Sequence, residues 1–409
     1  MQSLDNYGSG MGASVASSGG FNDQSNGIYP ATKFDGSGTL YPLGGGAQNP
    51  LPYTSASTDP GRFNGQGGGY NDYNTPIAKI HQWNLAMERE LGADYVVTVA
   101  YVGSHGFNLT FPTDLNAIPE SDLSSNDTQY RPYQNYQAGQ LGGNLYEGIS
   151  NYHALQATIS KRMTHGLSLS FNYTWSHMLD DQDSSGWGSH AGSQTWQHAS
   201  YLNLNQAALN YGPSNFDQRQ AFKGYAVYEL PFGKGKPFMN SNMIANEVLG
   251  GWQIAGTVIE LAGNPFQPSG PGSLYTHAGT QFLNRVPGVS LTPQGGKSWK
   301  NWFNEAAFSE PAAGAFGNAQ RNDLVGPGVN EFNLSAGKEF SIWEQVKFQL
   351  RCDATNAFNH PSFGAIGGGS NGNFGLSGGS PGAPVTGNAV LSSTTVGGRD
   401  LQLSGRITF

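Results

Sequence analysis

From Leu167 to Ser176 apolar and polar residues alternate without a break. Leu167, Leu169, Phe171, Tyr173 and Trp175 fall on one side, Ser168, Ser170, Asn172, Thr174 and Ser176 on the other. Successive side chains of a strand point to opposite faces, so the stretch predicts a β-strand with one apolar and one polar face. The same period of two recurs along the chain. Trp83, Leu85 and Met87 alternate with Gln82, Asn84 and Glu88, and Tyr95, Val97, Val99 and Tyr101 follow across the tight turn 91–93. Leu155, Ala157 and Ile159 precede the Leu167 strand, and Trp252, Ile254 and Val258 come after it. Phe332, Leu334 and Ala336, then Phe348, Leu350, Cys352 and Ala354, carry the pattern onward. The last nine residues close it, with Leu401, Leu403, Ile407 and Phe409 opposite Gln402, Ser404, Arg406 and Thr408. A further strand is expected over 217–230, where Gly224 and Ala226 leave the facing open.

The connections between these strands alternate in length. Short ones fall at 91–93, 163–166, 231–249 and 341–344, and long ones at 103–151, 177–216, 263–329 and 359–397. Transmembrane barrels sort their loops this way, with short periplasmic turns and long extracellular loops, and a strand of about 9 to 11 residues crosses the bilayer once. The expected fold is therefore all-β: a partial transmembrane antiparallel β-barrel of about nine strands over 79–409, preceded by a loop or disordered segment over 1–78. If Phe409 ends in the periplasm, the strand at Lys79 descends from outside and an ascending strand should come before it. Bacterial barrels close with even strand numbers, so an odd count predicts further strands ahead.

Composition supports the all-β reading. Charged residues are only 12% of the 409 positions, whereas aromatics reach 12% and glycines number 59. Such a chain is poor in helix formers and rich in turn and strand formers. A net charge of −8 with no basic cluster argues against nucleic acid as a partner. No apolar run is long enough for a membrane helix, and a negative mean hydropathy is compatible with a barrel whose strands are half polar. The amino terminus shows no export signal, which suggests a fragment of something longer.

Candidate chemistry is thin. Asp180, Asp181 and Asp183 could gather a calcium ion, but their spacing is not that of an EF-hand loop, and a solvated extracellular loop is the expectation. Asp217 and Arg219 could pair at the rim. The nine histidines show no HxxxH or HExxH spacing, Gly296-Lys297-Ser298 lacks the first glycine of a phosphate loop, and no GxSxG elbow occurs. Cys352 falls on an apolar face as a small hydrophobe. No catalytic residue, cofactor or metal is expected. Three groups of residues are expected to matter instead. Tyr95, Tyr101, Tyr173 and Trp175, near strand ends, suit an aromatic girdle. Lys347, Gln349, Arg351, Asp353 and Arg406 would face a wet lumen and touch a plug or solute. Leu401, Leu403, Ile407 and Phe409 form a terminal strand that resembles the one read by the barrel-assembly machinery of bacterial outer membranes.

Several motifs are specific in combination: Tyr101-Val-Gly-Ser-His-Gly106, Phe171-Asn-Tyr-Thr-Trp-Ser176, Phe216-Asp-Gln-Arg219, Tyr228-Glu-Leu-Pro-Phe-Gly233, Phe303-Asn-Glu-Ala-Ala-Phe308, Leu324-Val-Gly-Pro-Gly328 and Asn356-Ala-Phe-Asn-His-Pro361. Together, over roughly residues 75–409, they resemble the carboxy-terminal barrel of Oar-like TonB-dependent outer-membrane receptors. The resemblance implies location in the outer-membrane lipid, uptake of a large solute or glycan, and a plug and TonB contact carried by an amino-terminal part missing from this chain. The competing expectation is a secreted soluble all-β glycan-binding or adhesin module. What separates the two is whether the apolar face is covered by protein.

Overall fold

The computed structural model describes residues 75–92, 94–114, 141–181, 210–233, 250–266, 283–312, 317–342, 346–363 and 394–409, with shorter segments between and before them. Its main element is a 12-stranded sheet. Nine of these strands are long and form an antiparallel meander in chain order: β1 (Lys79–Leu91), β2 (Tyr95–Asp114), β3 (Leu141–Thr164), β4 (Leu167–Asp180), β5 (Gln220–Glu229), β6 (Trp252–Leu261), β7 (Val329–Ser341), β8 (Lys347–Thr355) and β9 (Asp400–Thr408). The described part of 1–78 contributes short strands, of which Gly68–Asn71 runs parallel to the outer end of β3.

The turn between β3 and β4 shows why the meander forms. Thr164 pairs with Leu167, leaving His165 and Gly166 as a two-residue loop with φ of 51° and 77°. Two positive φ values make a type I′ turn, whose twist matches that of the flanking strands.

Register then sorts every side chain. Directly paired residues of neighbouring strands share a face. Leu85, Tyr101, Leu155 and Trp175 lie in one row across β1 to β4. Tyr228, Ile254, Ala336, Cys352 and Leu403 continue the same face from β5 to β9. The facing of β5, open in the sequence, is settled by its partners: Phe222, Gly224, Ala226 and Tyr228 pair with Tyr173, Phe171, Leu169 and Leu167. Gly224 is required there, because a Cβ would collide with the ring of Phe171.

The apolar face is not sealed by protein. Leu85, Met87 and Leu403 are 68%, 74% and 72% exposed. A stacked second sheet would have buried them, so the sandwich expected of a soluble module is overturned. Along their free sides β1 and β9 pair with no other described strand, and among the described residues the sheet is open.

Two sequence expectations need correction. The polar connection after β2 is shorter than 103–151, because β2 runs on to Asp114 and β3 starts at Leu141. Those outer ends carry Gly103, Ser104, Gly106 and Asn151, and a strand that has left the hydrocarbon no longer needs an apolar face. The long connection 263–329 is not bare loop. It holds the buried core of the described residues, where Leu283, Phe303, Ala307, Phe308, Ala319 and Leu324 pack together and Leu391 joins them from the loop before β9.

Candidate binding site on the polar face

Opposite the apolar face, alternation and register collect the polar side chains. Lys347, Gln349, Arg351 and Asp353 of β8 stand beside Thr408, Arg406, Ser404 and Gln402 of β9, and beside Ser341, Glu339, Gly337 and Ser335 of β7. All five residues singled out in the sequence for this face, Arg406 included, therefore lie on it together.

Their charges are paired. Arg351 Nε donates to Asp353 Oδ1 at 2.8 Å and to Ser335 Oγ at 3.0 Å. Lys347 Nζ donates to Glu339 Oε1 at 2.7 Å. Lys236 Nζ reaches Glu229 Oε2 at 2.8 Å from the turn after β5. Between these pairs the small residues Ala255, Ser335 and Gly337 leave a hollow of about 320 Å³, lined also by Gln253, Gln349 and Arg351. The hollow offers amide and charged groups of both signs near the short-turn ends of β5 to β8. That chemistry suits a polar, hydrogen-bonding occupant and offers no nucleophile–base pair.

The four aromatics picked for a girdle occupy two levels of the apolar face. Tyr95 begins β2 beside Leu91 and Lys161. Tyr101 and Trp175 lie in one row at the other end, with Tyr173 one step below Trp175. Six residues separate Tyr95 from Tyr101, about 20 Å along the strand. Lys161 and Lys338 also project on this face, which sequence reasoning missed. Lys161 Nζ lies 5.3 Å over the ring of Tyr95, with Thr164 and Leu167 carbonyls around it. Lys338 Nζ lies 4.7 Å over Phe340 and donates to the Val248 carbonyl at 2.8 Å. Both heads bend toward the short-turn end, as long cationic side chains do at a membrane boundary. Trp83, also missed, packs flat on Gly103 at the opposite end, and a Cβ at Gly103 would enter its indole.

The terminal strand exposes Leu401, Leu403 and Ile407 on its apolar face, and Phe409 beyond its end is 94% exposed. Cys352 sits between Ala336 and Leu403 on the same face.

Above the outer ends of the strands the acidic cluster departs from expectation. Asp180 is buried, not solvated: Arg321 Nη1 binds its carboxylate and donates to its carbonyl at 2.7 Å. Asp181 accepts from the Ile149 amide at 3.0 Å. Burial pushes the Asp181 carboxyl up to about 6, and neighbouring Asp180 adds to the rise. Asp183 lies outside the described residues. Among the described residues no group of three His, Cys, Asp or Glu side chains is placed to hold a metal. Asp217 and Arg219 do pair: Arg219 Nε bonds the buried carboxylate, which also accepts from the Met178 amide at 2.8 Å.

The family model for the outer membrane beta barrel domain matches residues 6–402. No curated protein matches. Among solved structures, the chain is similar to the outer membrane transporter YddB from Escherichia coli, at 6% identity and a TM-score of 0.39 over 84% of this chain and 34% of that one. It is similar also to the FrpB iron transporter from Neisseria meningitidis, at 11% identity and a TM-score of 0.34 over 85% and 33% of the two chains. A third is the pyoverdine receptor FpvA from Pseudomonas aeruginosa PAO1, at 10% identity and a TM-score of 0.37 over 81% and 30%. The chain thus spans about a third of each of these structures, and likeness this loose carries no functional weight. The match of nearly the whole sequence does: this chain belongs to the outer membrane beta barrel domain family, and the outer membrane is where it resides.

Proposed function

We propose that the chain is the wall portion, carboxy-terminal in the complete protein, of an Oar-like TonB-dependent receptor that takes up large solutes across the outer membrane. The observation that carries this reading is the open sheet. β1 and β9, its two edges, run in the same direction, so nine strands alone cannot close an antiparallel barrel. Closure needs an odd number of added strands, and an amino-terminal part bearing them would also bear the plug and the contact with TonB. In this arrangement residues 79–409 are wall and 1–78 is the segment leading into it. The paired charges of Lys347, Glu339, Arg351 and Asp353, with Gln349 and Arg406, line the lumen against plug or solute. Tyr95, Tyr101, Tyr173 and Trp175 hold the wall at the two lipid interfaces. Leu401, Leu403, Ile407 and Phe409 present the assembly machinery with its insertion strand. We assign the chain no catalytic role.

The test is complementation. Cells making the chain together with the genomic segment upstream of it should import a large solute, and deleting TonB should abolish that import. The chain should leave membranes only with detergent. A monodisperse chain in plain buffer, or import that survives loss of TonB, overturns the proposal.

A further inference from the structure

Trp299 is 51% exposed, and lipid does not account for it. Trp83 and Trp175, similarly exposed, lie on the membrane-facing side of the wall, whereas Trp299 belongs to the folded connection 263–329 beyond the outer ends of the strands. Water surrounds that connection, and an indole left uncovered in water marks a surface that something else covers. The chain also gives this indole a rigid seat. Ser298 and Asn301 exchange backbone hydrogen bonds of 3.0 and 3.1 Å, which makes Trp299 and Lys300 the two-residue tip of a tight hairpin. The amide of Leu391, a core residue, donates to the Trp299 carbonyl at 2.8 Å. Three positions on, Trp302 packs against the same core, and its Nε1 donates to the Val325 carbonyl at 2.9 Å.

An ammonium accompanies each of the two indoles. Lys300 Nζ lies 4.9 Å over the Trp299 ring, and Lys297 Nζ 5.0 Å over that of Trp302. These lysines differ from the other cations of the connection. Arg285 is answered by Asp323 at 3.1 Å, and Arg321 by Asp180. Beyond its indole Lys297 reaches only the Val325 carbonyl, at 3.4 Å, and Lys300 reaches nothing further, so neither meets a carboxylate among the described residues. Partial burial also holds the Lys297 ammonium below its usual value, and a carboxylate brought alongside would reverse that.

We infer that this hairpin binds a carboxylated sugar chain, with indole packed on the C–H faces of the sugar rings and the two ammoniums paired with carboxylates. Charge and shape together choose the occupant. A ligand of charge alone would leave Trp299 uncovered, and a neutral sugar would leave both ammoniums without an anion. A nucleic acid needs many cations along its phosphates, and this site has two on a chain of net charge −8. Such binding rests on the uptake reading for its purpose and names the class of solute taken up. It needs neither TonB nor the upstream strands, so import can fail while binding holds, and the reverse.

The folded 409-residue chain, in a detergent without sugar headgroups, is titrated calorimetrically with a short oligogalacturonate, with its methyl ester, and with an oligoglutamate of the same charge. The ester keeps the rings and loses the charge, and the oligoglutamate keeps the charge and loses the rings. Oligogalacturonate should bind about tenfold more tightly than either. Trp299→Ala should bring it down to the level of oligoglutamate, and Lys297→Gln with Lys300→Gln down to the level of its ester. All three side chains are exposed, so the variants should keep the fold, which resistance to unfolding in cold SDS checks. In the unaltered chain the titration midpoint of the Lys297 ammonium, followed by NMR, should rise when oligogalacturonate is added, which reads the contact even if a variant fails to fold. No binding of the sugar acid, equal binding of acid and ester, an oligoglutamate that binds as tightly, an unmoved Lys297 midpoint, or folded variants that keep full affinity would each overturn the assignment.

Discussion

Phe303 and Leu403 are both large apolar side chains; the first is 1% exposed and the second 72%. Phe303 belongs to the module between β6 and β7, where it meets Phe266 and Phe308 edge-on at 6.1 and 6.3 Å. Leu403 belongs to the wall, and what it meets is lipid. One chain therefore folds under two solvents. In the wall, backbone hydrogen bonds run from strand to strand and the apolar face needs no protein partner, because hydrocarbon provides it. In the module, water surrounds the chain, so apolar side chains must cover one another. An identical kind of truncation should have unequal consequences in the two places.

The largest effect should come from the ion pair that ties module to wall. Arg321→Ala leaves the Asp180 carboxylate buried without its main partner, a change that costs about 3 to 5 kcal/mol. Limited proteolysis should then cut the loops of 283–324 at much lower protease concentration, while the wall keeps its resistance to unfolding in cold SDS. Phe303→Ala should cost the module about 3 to 5 kcal/mol, through lost burial and the cavity left behind. Leu403→Ala should cost the wall well under about 1 kcal/mol, since lipid fills the space and the insertion scale separates the two residues by no more. Equal losses in refolding titrations would break the comparison. Within the wall, Val99→Arg on the membrane side, between the two aromatic levels, should cost about 2 to 4 kcal/mol, whereas Thr174→Arg on the polar side should be tolerated. Equilibrium unfolding from bilayers checks both.

How much of this could be read in the sequence follows the same division. Strands that cross hydrocarbon are forced to keep a period of two, so β4, β8 and β9 were legible from their own residues. Where β2 and β3 rise above the membrane, the constraint lapses and Gly103, Ser104 and His105 look like loop. β5 was ambiguous because two small residues sit on its apolar face. Only pairing with β4 explains them, with Gly224 under Phe171 and Phe222 stacked on that ring at 5.6 Å. The module was hidden for a further reason. Its apolar residues follow no period, and the pair that pins it joins residues 141 positions apart. The polar-face residues were recovered as one surface because a single strand, β8, supplies four of them.

A smaller effect separates the regions by pH. Burial raises the carboxyls of Asp181, Glu310 and Asp323, all outside the membrane span. For Asp181 the folded value is about 6 against 3.8 in the open chain. The folded state therefore holds the proton more tightly. Its contribution to stability is full below pH 3.8 and is lost as pH rises through about 6. Protease resistance of the outer loops should accordingly increase on mild acidification, and Asp181→Asn, which keeps an acceptor for the Ile149 amide, should flatten that response. A slope of the opposite sign would show that other carboxylates govern the module.

The smallest effect is expected on the polar face. Lys347 and Glu339 are both about half exposed and their ion pair is bathed by solvent. Exposed pairs contribute about 0 to 1 kcal/mol, because water screens the charges and two long side chains must be held still. Lys347→Gln should leave the unfolding midpoint of the wall within error. It should instead alter what the face can hold: removing one cation leaves Glu339 unpaired beside Gln349 and shifts the hollow toward cationic occupants. Conductance of the wall reconstituted together with the upstream strands that close it offers the readout, with cation preference rising in Lys347→Gln and falling in Glu339→Gln. If both substitutions changed stability and neither changed selectivity, this face would be part of the wall's framework and the contrast between a structural membrane side and a working polar side would fail.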